Sequence, residues 1–284
     1  MKIIKYFIQS FFIYLFFIIA KIFGIKLSRK VFSFLFLNLA HFFKSKYVVE
    51  KNLNIFNKNL TKIEKKRIVS NMWKNYGMTF IEYIFLKDLK KNNSHIYIEG
   101  RDKLNKILQR GKPVIFVSGH FANFELMSME IIKSGIKLAT IYRPLNNFFL
   151  NPFMERVRKK YVCPNQIKKG INGVRESIEF IKEGFSIALM IDQRVSEGEK
   201  IPFFNSPALT TTLPAQLAKK YNLPIIPVFI ERKDLSKFYI NFYEEIDPSN
   251  FKDKNELTIK LNKILEQMII KNPDQWIWTH NRWK

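Results

Sequence analysis

The sequence predicts an α/β fold: a mixed sheet flanked by helices, behind an N-terminal membrane-anchoring helix. Three observations carry this. From residue 95 onward, short apolar runs rich in β-branched residues alternate with helix-patterned segments, which builds a largely parallel or mixed sheet. Residues 6–20 are almost wholly apolar and are bracketed by Lys2, Lys5 and Lys21. The formal net charge is +24, and a charge that large suits an anionic partner: nucleic acid, an anionic membrane, or a phosphorylated or acidic substrate. Cys163 is the one cysteine, so an internal disulfide and a cysteine metal cluster are excluded.

At the N-terminus, the apolar run 6–20 is somewhat short for an upright span, and lengthening it through Ile22, Phe23 and Ile25 requires Lys21 to snorkel. A second apolar patch, 31–43, follows Arg29 and Lys30. Three readings stand: a transmembrane or deeply inserted anchor, a pair of interfacial helices, or a cleaved signal peptide. No small-x-small site follows the run to support the last. Residues 1–43 are therefore set apart as anchor and 44–284 as the globular domain. His41 and His95 read as structural.

Residues 44–91 are basic and helical in pattern, with Thr61 and Glu64 spaced as a capping box. The lysines there suit either a solvated face or anionic headgroups. Residues 95–100 read as a strand and 101–109 as a helix. Pro113-Val114-Ile115-Phe116-Val117 is a buried strand. Further strands are expected at 137–143, 186–191, 224–230 and 238–245. Helices are expected at 151–161, 174–182, stopped by Gly184, and 257–270.

The buried strand runs into Ser118-Gly119-His120-Phe121-Ala122-Asn123-Phe124-Glu125, a strand-to-helix turn where α/β proteins present side chains to ligands. Histidine is the side chain whose unperturbed pKa lies nearest neutrality, so His120 suits a general base, and a carboxylate customarily orients such a base. Glu125 is the nearby carboxylate. The same pair at a helix start also suits a cap or a satisfied polar contact. No Gly-x-Ser-x-Gly elbow is present, so the pair points to direct proton abstraction from an acceptor hydroxyl. No cluster has metal-ligand spacing and no Gly-rich phosphate loop appears; neither a metal nor a cofactor is implied.

The turn resembles the His-x4-Asp/Glu motif of the glycerolipid acyltransferase superfamily, and more closely the Gly-His-Phe-Gly-Asn-Trp-Glu form of the lipid A biosynthesis late acyltransferases. Other blocks match that family in order: Tyr142-Arg143-Pro144-Leu145-Asn146-Asn147, the basic helix with Arg156 and Arg158, Asp192-Gln193, Ile201 to Thr212, and Gln275-Trp276-Ile277-Trp278-Thr279-His280 to Lys284. The departures are Ala122 and Phe124 for Gly and Trp, Asn205 for Gly, and Asn281 for Arg. Asn at 205 tolerates the left-handed backbone a Gly adopts.

The resemblance implies a glycerolipid-acyltransferase-like fold and transfer of a fatty acyl chain from acyl carrier protein to a hydroxyl of a Kdo-bearing lipid A precursor. The alternative is the same chemistry on another phospholipid or glycolipid. It implies His120 as base, Glu125 orienting its imidazole, Arg158 on an acidic substrate group, and Asp192 orienting Arg158 or another basic residue. Without the resemblance, Arg158 reads as a surface charge and Asp192 as a helix cap. Arg143, Asn147, Arg156, Arg175, Gln193 and Arg194 are the substrate-binding candidates. The implied setting is the bacterial inner membrane, with the catalytic domain 44–284 facing the cytoplasm. The implied partners are acyl carrier protein, the lipid A precursor and an anionic membrane, not nucleic acid.

Overall fold

The computed structural model describes residues 2–39, 45–92 and 94–284. His41, the end of the second apolar patch and the 43/44 boundary lie outside the described residues. The first element, α1 (Lys2–Leu39), takes in both apolar segments and is broken at Gly24, whose φ of 73° and ψ of 169° interrupt the helix. The break is sharp: the rings of Phe16 and Phe32 sit 6.1 Å apart, whereas sixteen residues of straight helix would span roughly 24 Å. Helix α1 is long and apolar enough to cross a membrane. Lys21 does not snorkel; its ammonium pairs with Asp88 at 2.9 Å and sits over the Phe85 ring.

Three helices follow, α2 (Lys46–Phe56), α3 (Lys62–Glu82) and α4 (Leu86–Lys91). The expected capping box starts α3, with the Thr61 side chain on the Glu64 N–H and Glu64 on the Thr61 N–H. Helix α3 carries α1: Phe17, Phe32 and Phe36 pack around Phe80. The two come so close that a methyl group on Gly77 would meet the Phe32 carbonyl oxygen at 2.1 Å.

The rest alternates strand and helix: β1 (Ile96–Glu99), α5 (Arg101–Arg110), β2 (Ile115–Ser118), α6 (Glu125–Lys133), β3 (Leu138–Tyr142), α7 (Asn151–Tyr161), β4 (Asn165–Lys168), α8 (Ile171–Lys182) and β5 (Ser186–Met190). Then come the hairpin β6 (Glu199–Phe203) and β7 (Ser206–Thr210), α9 (Leu213–Tyr221), β8 (Ile225–Arg232), β9 (Phe238–Phe242) and α10 (Lys254–Lys271). The main sheet runs β1-β9-β8-β2-β5-β3-β4. Every neighbouring pair in it is parallel except β8 with β9. It is thus the expected mixed sheet.

Strand β2 lies in the middle and is buried on both faces, as central parallel strands are. Ile115 and Val117 enter one apolar cluster with α3, α9, α10 and the C-terminal tryptophans. Val114 and Phe116 enter the other with α5 and α6. Cys163 sits buried in that second cluster with its thiol on the Leu138 carbonyl, a structural place. His95 rests its ring against Phe238 just before β1.

One ionic cluster crosses the core. Glu82 at the end of α3 is fully buried and accepts from Arg29 of α1 at 2.6 Å, Arg232 of β8 at 2.9 Å and Asn123 at 2.8 Å. Asn75 and Thr79 of α3 also accept from Arg232. Helix α1 is therefore joined to the sheet through charge as well as through Phe packing.

Candidate active site

Strands β2 and β5 are parallel neighbours with Ser118 opposite Met190. Two residues further on, past both strand ends, the same register sets His120 opposite Asp192. The His120 Nδ1 lies 2.7 Å from Asp192 Oδ1, and the His120 backbone N–H donates to Oδ2 at 2.7 Å. The indole N–H of Trp276 donates to the same Oδ2 at 2.9 Å. Burial alone would raise the Asp192 pKa. The His120 charge and these three hydrogen bonds outweigh it and hold the carboxyl below its ordinary range. An ionised Asp192 accepts, so Nδ1 carries a proton, and in the neutral imidazole the Nε2 lone pair is left for the cleft. The His120 ring meets Phe124 edge to face at 4.7 Å.

The expected His120–Glu125 pairing is not the one formed. Glu125 opens α6 on the far side of the turn, and its Oε1 accepts from Arg158 Nε at 2.7 Å and from the Tyr83 hydroxyl at 2.6 Å. Asp192, expected on Arg158 or another basic residue, meets the basic His120, and Arg158 pairs with Glu125 instead. Burial opposes the Arg158 charge, but Glu125 first and Tyr83 second overcome that and raise its pKa. Burial pushes the Tyr83 hydroxyl up, so it keeps its proton and donates. The four residues named in the sequence do converge, but as two pairs with partners exchanged.

His120 of the first pair and both members of the second line one cleft of about 560 Å³, with Asp192 buried behind His120. His120, Glu125, Arg158, Arg143, Gln193 and Arg194 all border it, together with Lys169. Its apolar wall includes Phe124, Met127, Ile141, Leu189 and Leu213. Three binding candidates lie elsewhere. Arg156 and Arg175 are exposed on α7 and α8, outside the cleft. Asn147 is spent on docking α1: its amide donates to the Tyr6 carbonyl and its oxygen accepts from Ser10. Tyr83 and Lys169 were not legible as site residues, since one sits in an apolar run and the other among surface lysines. Trp276 was visible only as part of the C-terminal block. Among the described residues no group of His, Cys, Asp or Glu converges as metal ligands would.

The turn itself is pinned by Thr79, which donates to the Ala122 carbonyl, and by Asn123 on Glu82. Ala122 has φ 43°, where a Gly would be free of strain. Relief of roughly 1–2 kcal/mol in Ala122→Gly is offset by a lost buried methyl, about 0.8 kcal/mol, and by chain entropy, about 0.4–1 kcal/mol. Denaturant titration should therefore place Ala122→Gly within about 1 kcal/mol of the parent. A loss well beyond that would contradict the left-handed backbone. At the β6–β7 turn, Phe204 and Asn205 both have positive φ. Asn205 thus holds the conformation expected of it.

Residues 1–284 match the sequence profile of the bacterial lipid A biosynthesis acyltransferases. The chain is 26% identical over 246 residues to a lipid A biosynthesis palmitoleoyltransferase of Escherichia coli (strain K12), covering 84% of this chain and 78% of that one. It is 24% identical over 245 residues to a lipid A biosynthesis acyltransferase of Haemophilus influenzae, covering 84% and 76%. The crystal structure of a 1-acyl-sn-glycerophosphate (LPA) acyltransferase from Thermotoga maritima overlaps with 15% identity and a TM-score of 0.41, across 89% of this chain and 96% of that one. The ordered blocks and the full-length match agree: the chain is an acyltransferase and belongs to the bacterial lipid A biosynthesis acyltransferase family.

Proposed function

We propose that the protein moves a fatty acyl chain from the thioester of acyl carrier protein to a hydroxyl of a Kdo-bearing lipid A precursor, with His120 as general base. The observation that carries this is the His120 imidazole, held through Nδ1 by a buried carboxylate and bordering a cationic cleft. His120 Nε2 takes the proton of the acceptor hydroxyl as its oxygen attacks the thioester carbon. The tetrahedral intermediate collapses, the C–S bond breaks, and the imidazolium returns its proton to the leaving thiolate. Asp192 stabilises the imidazolium and fixes its tautomer. Glu125 acts at one remove, by holding Arg158.

Arg143, Arg158, Lys169 and Arg194 border the cleft, and four cations there favour an acceptor bearing phosphate or carboxylate. Acyl carrier protein and the inner leaflet are both acidic, which a chain of net charge +24 attracts. Residues 1–43 act as the membrane element and 44–284 as the catalytic domain, facing the cytoplasm where the carrier protein is found.

Detergent-purified enzyme with acyl carrier protein thioester and lipid A precursor should give the acylated product by mass spectrometry. His120→Ala should lower kcat by about 10²- to 10⁴-fold with the fold intact. Full activity in that variant would remove the proposed base. Equal turnover of lysophosphatidic acid would move the acceptor to another lipid.

A further inference from the structure

We infer that Trp276, in the C-terminal segment, is a positioning residue of the active site: its indole N–H sets the Asp192 carboxylate that in turn sets the His120 ring. This rests on the reading of His120 as base. Asp192 Oδ2 has two donors, the His120 N–H and Trp276 Nε1. The first belongs to the turn that Asp192 must orient. The second comes from a segment 84 residues further along the chain, so it is the independent restraint on that oxygen. A carboxylate held at both oxygens cannot rotate about its Cβ–Cγ bond without breaking a charge-assisted hydrogen bond inside the core.

The indole is itself immobile. Trp276 is fully buried, with Trp278 edge to face at 4.7 Å and Phe203 and Trp283 around it. The segment is tied down on both sides of the hairpin. Arg282 donates to the Leu209 carbonyl and to Thr210, and the Trp283 indole to the Phe203 carbonyl. Asn52 of α2 donates to the Trp278 and His280 carbonyls. The segment also returns to the loop after β5: His280 Nε2 accepts the Arg194 N–H at 2.8 Å. Burial lowers the His280 pKa to about 4, so it stays neutral and keeps that acceptor. Two residues of one segment thus hold both ends of the Asp192–Arg194 stretch, one by its carboxylate and one by its backbone.

Trp276→Phe keeps a large ring and deletes only the donor. Trp278→Phe is its matched control, because the Trp278 indole donates to the Pro273 carbonyl instead. A hydrogen bond to a buried charge is expected to be worth about 10- to 100-fold. Trp276→Phe should therefore lower kcat by about 10-fold or more, with KM for both substrates unchanged. The downfield proton signal of the His120–Asp192 hydrogen bond should move in this variant and stay in the control. Unchanged kcat and an unchanged signal in Trp276→Phe would overturn the inference. So would equal losses of kcat and melting temperature in both variants, which is what packing alone produces. Failure of the base reading has a different signature, namely full activity in His120→Ala.

Discussion

Asp192→Asn is expected to lower kcat by roughly 10³- to 10⁴-fold while leaving the protein folded. The change removes one charge and keeps the shape. Its consequence is in the tautomer. An Asn amide placed with its N–H₂ toward His120 Nδ1 donates rather than accepts, and the imidazole proton is driven to Nε2. The nitrogen bordering the cleft would then have no lone pair for the acceptor hydroxyl. Single-turnover kinetics separates this from weakened binding, since the loss belongs in the chemical step. Glu125→Gln gives the contrast. Its carboxylate holds Arg158, so its loss belongs first in KM. A kcat collapse in Glu125→Gln beside a mild Asp192→Asn would restore the pairing expected from the sequence and discard the one observed.

Glu82→Ala is expected to destabilise the protein by about 3–5 kcal/mol, a cost typical of breaking one partner out of a buried ionic cluster. Arg29 and Arg232 are 3% and 5% exposed. Without Glu82 two guanidinium groups remain in the core with no carboxylate between them. A domain stability of roughly 5–15 kcal/mol makes that a large share. Thermal or denaturant unfolding in detergent checks it. Replacing Glu82, Arg29 and Arg232 together by apolar residues of similar size should recover much of the loss, because the desolvation cost of all three charges goes with them. A triple variant no better than Glu82→Ala would mean that the cluster does more than balance its own charge.

Much of the fold was legible because its strands are buried and its helices carry regular signals. Strands β2 and β5 are continuous apolar runs, and the bounds expected for α7 match those observed. Strand β4 was not legible. It is an edge strand of four residues in which only Ile167 is buried, so it has no apolar run to detect. The β6–β7 hairpin contains Pro202 and Pro207, which argue against strand in sequence terms. Helix α9 follows it closely and was missed as well.

At the site, each of His120, Glu125, Arg158 and Asp192 was identifiable, and their pairing was not. Proximity in sequence favours His120 with Glu125, five residues apart. Proximity in space depends on which strand lies beside β2. Two parallel strands ending at the same level bring His120 and Asp192 together from 72 residues apart. No pattern within either strand reveals that they are neighbours. The Tyr83 contribution depends likewise on how α3 approaches α6.

The contacts of α1 bear on geometry at the bilayer. The helix is fixed to the body of the protein at Ser10 on Asn147, at Tyr14 on the Phe149 carbonyl, and at Arg29 on Glu82. These points fall on both sides of the Gly24 break, so neither half is free to swing as a flexible leash would. Helix and body are thus joined on both sides of the break. Under the proposed membrane role of α1, its depth in a leaflet would set the height of the His120 ring relative to the lipid headgroups, and with it which hydroxyl of a membrane-held acceptor could come level with the proposed base.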